Sequence, residues 1–151
     1  YQLDRHQLEQ VARDRHKLHE GQASHRPLST DYQLVGLAGE FAFGQKYFMD
    51  VDWTLRPAGD NGTDFKAWIG NVDVKTFQKP IHLLVEVGKA RADYYVLGGC
   101  KATGNVCEVQ LLGWATKAEV LGAEQKTFDV LSHAIHQKKL HDMRWLDMLL
   151  L

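Results

Sequence analysis

Between Gly62 and Phe77 the chain reads GTDFKAWIGNVDVKTF, and Asp64, Lys66, Asp73 and Lys75 alternate there with apolar residues. Carboxylates with an ammonium beside them suit the hydrolysis of a phosphodiester. A divalent cation such as Mg2+ takes hard oxygen ligands, and a lysine orients water or neutralises phosphoryl charge. Spacing alone decides little. An acid, any residue, then Lys occurs at Asp64–Lys66, Asp73–Lys75 and Glu124–Lys126, and about one such triplet is expected by chance in a chain with 19 acidic residues. The elements around each triplet have to choose among them.

Period-two runs, TDFKAWI and VDVKTF, flank a Gly70–Asn71 turn and read as a hairpin. Opposed residues of a hairpin share a face, and any two-residue loop here pairs numbers that sum to an odd value, so face membership survives a shift of register. Phe65, Ala67, Ile69, Val72 and Val74 form an apolar face. Asp64, Lys66, Trp68, Asp73, Lys75 and Phe77 form the other, which a half-solvated sheet would also produce without any chemistry. Glu40 adds a constraint. It sits in YQLVGLAGEFAFGQKYF, the strongest helix in the sequence, capped by Thr30 or Asp31. Gly36, Gly39 and Gly44 surround it, each costing roughly 1 kcal/mol of helix propensity. Close approach of helix to sheet would compensate, and would carry the Glu40 carboxylate towards the charged face of the hairpin.

The remaining segments build a frame for this pair. Residues 2 to 20 form a weakly amphipathic helix with a His-rich surface, ended by GQASHRP. VDWTL, HLLVEV, YYVLGGC and VCEVQLLGWA are strand-like, while KPIHLLVEVGKARAD reads as either strand or helix. ATKAEVLGAEQ is a short helix that takes in Glu124. The tail has helical spacing at Leu131, Ile135 and Leu140, followed by Trp145, Leu146, Met148 and Leu149, which pack on the sheet or on a second subunit of a homodimer. Cys100 and Cys107 face each other across KATGNV as reduced thiols. With 151 residues, 44% of them hydrophobic, and a net charge of -1, the expectation is one α/β domain without a global basic field. No window approaches the roughly 18 apolar residues of a membrane span, and the N-terminal segment is too charged for a secretory signal. The chain opens on Tyr1, as a trimmed or partial product does.

A Glu-bearing helix, a strand beginning with Asp and a following strand with Asp-x-Lys resemble the PD-(D/E)XK nuclease superfamily, in its phage or bacterial members. The matching residues are Glu40 in GLAGEFAF, Asp64 in GTDF, and Asp73 with Lys75 in VDVKT, and the resemblance covers about residues 30 to 115. Gly62 and Thr63 stand where the name-giving Pro would be. The resemblance implies a single domain over 1–151 with a restriction-endonuclease-like core at about 30–125. That core is a central mixed sheet flanked by helices, here with an extra N-terminal helix and a C-terminal helical tail. It implies a deoxyribonuclease using Mg2+ or Mn2+, with Asp64 and Asp73 as ligands, the Val74 carbonyl and Glu40 assisting, and Lys75 orienting water. DNA phosphates would meet Lys66 at the rim and Gln78, Lys79, Lys89, Arg91 and Lys101 beyond it, in the cytoplasm of a bacterial or phage-infected cell. The alternatives are a non-catalytic nucleic-acid-binding or assembly module that retains the fold, and a structural protein whose charged hairpin face is a dimer interface.

Overall fold

A computed structural model describes residues 1–10, 30–51 and 64–151. The expected PAGDNG turn, nearly all of VDWTL, and His16, His19 and His25 lie outside those residues. The order along the chain is β1 (Gln2–Asp4), helical residues 5–10 (α1), α2 (Thr30–Tyr47), β2 (Phe65–Ala67), β3 (Gly70–Phe77), β4 (His82–Glu86) and β5 (Tyr94–Thr103). After these come β6 (Val106–Thr116), α3 (Lys117–Leu121), β7 (Glu124–Thr127), β8 (Leu131–His136), a 3-10 turn at Gln137–Lys139, and α4 (Met143–Leu150). The strands form a mixed five-stranded sheet ordered β1-β6-β5-β3-β2 and an antiparallel sheet ordered β4-β8-β7.

The helix α2 is apolar nearly all round, and the structure buries both of its sides. Leu34, Leu37 and Ala38 pack with Leu3, Cys100, Cys107 and Val109, whereas Phe43 and Tyr47 pack with Phe65, Val72, Val74 and Val96. The second sheet covers the opposite face through Leu83 and Val85 against Tyr95 and Leu97. Strands β3 and β5 run parallel, which requires a crossover. Here β4 supplies it, so KPIHLLVEVGKARAD resolves to a strand and no helix separates these two strands.

Several expectations change. Gln2–Asp4 is a strand on β6, because its alternating burial pairs with the edge of β6. Within the hairpin, Phe65 pairs with Val72 and Ala67 with Gly70, so the loop is Trp68–Ile69 and not Gly70–Asn71. The pair numbers remain odd in sum, and the faces stay as read. Glu124 opens β7, and Leu131–His136 is the central strand of the second sheet, not helix. Two ladder partners outweigh its weak helical spacing. The tail is helical only from Met143, where α4 buries Met143 and Leu146 and leaves Trp145 and Met148 exposed. Cys100 stands opposite Val109 and Cys107 opposite Ala102, so the two buried, free thiols are diagonal neighbours.

Gly39 sets the spacing of α2 and β3. A Cβ built on it would lie 1.7 Å from Thr76 Oγ1 and 2.8 Å from Thr76 Cβ, so the Thr76 side chain or the helix would have to shift. Gly39→Ala is expected to lower stability by about 1–3 kcal/mol, the usual cost of overpacking. Thr76→Ala in the same chain should recover part of that loss. Urea denaturation of the two single variants and the double variant measures the coupling, and additive effects would contradict the contact.

Candidate active site

The strand β3 organises the site because its side chains alternate. Val72, Val74 and Thr76 face α2, while Asp73, Lys75 and Phe77 face the second sheet. Among the described residues, β3 has no ladder partner beyond Val72 on the side of β2. Asp64 occupies that edge. Its N–H donates to the Val72 carbonyl at 3.0 Å, and its Oδ2 accepts from the Val74 N–H at 2.7 Å. The N–H and C=O of one extended residue leave a strand on the same side, so the Val74 carbonyl is turned towards the Asp64 side of the strand.

Three elements thus deliver the expected quartet to one cavity of about 460 Å3, lined by Glu40, Asp64, Asp73, Val74 and Lys75. Glu40 comes from α2, which packs on the Val72 and Val74 side of β3, and lines the cavity together with the charged residues of the hairpin. Gly36 also lines the cavity, and nothing stands within 4 Å of where its Cβ would be, so its small size serves open space there. Thr76 Oγ1 is buried with no hydrogen-bond partner among the described residues, pressed against Gly39.

Electrostatics make this a strained set of charges. Asp73 is 4% exposed, and its Oδ2 lies 2.7 Å from Lys75 Nζ. Burial pushes the Asp64 carboxyl well above the usual carboxylate range, reinforced by the charges of Glu40 and Asp73 and by a hydrogen bond with Asp73. The Val74 N–H pulls the other way without reversing the shift.

The six expected phosphate contacts lie outside the cavity, as positions at its rim and beyond it would. Lys66, Gln78, Lys79, Lys89, Arg91 and Lys101 are all exposed, and none of them lines the cavity. Lys89 is taken up by Glu86 at 3.1 Å, and Lys101 stands opposite Glu108 far along the β5–β6 hairpin. Trp68 is 79% exposed at the hairpin tip, and Phe77 is half-buried in the cavity wall. The second sheet contributes residues that the sequence reading missed: Glu86, Phe128, Asp129 and Ser132. Glu86 had a signal, since HLLVE alternates and sets it opposite Leu83 and Val85. Phe128 and Asp129 had none once their surroundings were taken as helical.

No protein-family model, curated protein or solved structure matches this chain. Among the described residues, no helix is long and apolar enough to cross a membrane.

The raised Asp64 carboxyl has a defined consequence for stability. Its folded-state value lies above the unfolded one, so its contribution is present at acid pH and is lost as pH rises through the folded value. Asp64→Asn keeps an oxygen for the Val74 N–H and removes the charge. At pH 8 in chelator this variant is expected to be more stable than the parent by about 1 kcal/mol or more. Below pH 4 the difference should vanish. Thermal unfolding across pH measures both, and a variant less stable at pH 8 would refute the charge assignment.

Proposed function

We propose that this chain is a metal-dependent nuclease that hydrolyses DNA phosphodiester bonds, built on a restriction-endonuclease-like core in which β4 stands in for the crossover helix. The observation that carries the reading is the meeting of Glu40, Asp64, Asp73 and Lys75 in one cavity from a helix, a strand approach and a strand. Nothing about folding requires three acids and a lysine from separate elements to share a water-accessible recess. Close-packed acids of this kind are costly unless a cation balances them.

The donor set fits Mg2+ or Mn2+. Carboxylate oxygens of Asp64, Asp73 and Glu40 and the Val74 carbonyl are hard donors, and their mutual repulsion is what a divalent ion would relieve. Among the described residues, no three such side chains already stand as a closed ligand set, and Lys75 holds one oxygen of Asp73. When bound, the ion would supply charge neutralisation at phosphorus and a more acidic water. The protein's own residues do the rest. Lys75, held as an ammonium by Asp73, donates to a phosphoryl oxygen or to the attacking water and cannot itself accept a proton in that state. Glu40 stands across the strand edge as an acceptor able to hold that water. The cavity walls keep these groups partly desolvated, which strengthens each interaction.

Incubation with single-stranded and duplex DNA in Mg2+, Mn2+ or EDTA tests this reading. Cleavage is expected only with metal, and Asp73→Asn or Lys75→Ala should lower the rate by about 100-fold or more. Equal cleavage by the parent and Asp73→Asn would overturn the assignment. Salt-sensitive binding without cleavage would point to a binding module.

A further inference from the structure

The cavity continues onto one face of the second sheet. Lys126, Ser132 and Glu86 form one cross-strand row, Glu124, Ala134 and Leu84 the next, and His136 with His82 the last. The ladder sets His82 and Phe128 at opposite ends of this sheet, yet their rings meet at 5.9 Å. Such contact requires the sheet to curl, with this face concave. The His82 ring then meets His136 edge-on at 5.2 Å. Burial, with Lys126 and His136 close by, holds His82 below the usual histidine range, so the ring is neutral near pH 7. Phe128 is 48% exposed and lines the cavity itself. An aromatic shelf therefore borders the proposed cleavage centre.

The aromatic rings on this wall, and not its charge, say which part of a nucleic acid it suits. Its charge is mixed: Asp129 and Glu86 line it, but Glu86 is paired with Lys89 at 3.1 Å, and Lys126 stands in the Glu86–Ser132 row. The half-exposed Phe128 ring on this side offers a face on which a base stacks. Depth adds a second constraint. Asp73 is 4% exposed, so the scissile phosphate must descend into the recess. A nucleotide that does so with its base turned to Phe128 has left any helical stack, which is cheapest where the strand is already unpaired.

We propose that this shelf stacks the base flanking the scissile phosphate, and that the substrate is an unpaired DNA strand, free or at a frayed or flap end, in preference to intact duplex. The inference rests on the nuclease reading above. One sequence is presented as a single strand and as a blunt duplex, with Mn2+ or Mg2+. The single strand should be cleaved with at least about a tenfold higher kcat/KM. Phe128→Ala should raise KM on the single strand by about tenfold with little change in kcat, and Phe128→Trp should restore it. Because Phe128 is half-exposed, loss of folding is a poor explanation for the first result once the second is seen.

A separate readout uses a single strand carrying 2-aminopurine, whose fluorescence falls on stacking, mixed with the Asp73→Asn protein. Quenching that disappears in Asp73→Asn/Phe128→Ala supports the shelf independently of cleavage. Cleavage with equal preference for duplex, or with no effect of Phe128→Ala, overturns the shelf and leaves the nuclease reading standing. Quenching without cleavage of any DNA overturns the nuclease reading and leaves the shelf. Neither cleavage nor quenching overturns both.

Discussion

The backbone of α2 touches β3 at Gly39, where only a hydrogen fits beneath Thr76, and the placement of the acids follows from that contact. Were the helix held off by a Cβ, Glu40 would withdraw from the edge that Asp64 and Asp73 share. The glycines that weaken α2 as a helix are offset by burial of its two sides against separate parts of the core. Helical propensity is sacrificed locally for a distance, a common arrangement where a site needs elements closer than side chains normally allow.

A second constraint follows from the end of β2. Because the ladder stops at Val72, the Val74 N–H on that side is left to a side chain, and Asp64 supplies it. That single hydrogen bond fixes the carboxyl beside Asp73, where burial and like charge oppose its ionisation. The protein accepts an unfavourable electrostatic arrangement that a divalent cation would convert into a favourable one. Lys75 relieves it in part, through its ion pair with Asp73. Close-packed like charge costs stability at this point.

Much of this was legible in the residues. Alternation in TDFKAWI and VDVKTF set the faces of β3 correctly, because parity holds even though the loop lies at Trp68–Ile69. Gly39 beside Glu40 signalled the close approach that the structure makes at Thr76, whereas Gly36 borders open space. Long-range pairing was not legible. The stretch Leu131–His136 carries weak helical spacing, and it becomes a strand because β4 and β7 both present ladders to it. That error hid Phe128 and Asp129, which reach the cavity only through the turn between β7 and β8. The basic residues after Lys75 stay outside the recess, since β4 diverts the chain to a second sheet.

The central claim is that Glu40, Asp64 and Asp73 form a divalent-cation site at the edge of β3. Anomalous diffraction from crystals grown with Mn2+ tests it most directly. A single strong peak or a close pair is expected in the cavity, about 2.1 Å from oxygens of both Asp64 and Asp73. A Mn2+-soaked crystal with no peak within reach of these two carboxylates would contradict the account.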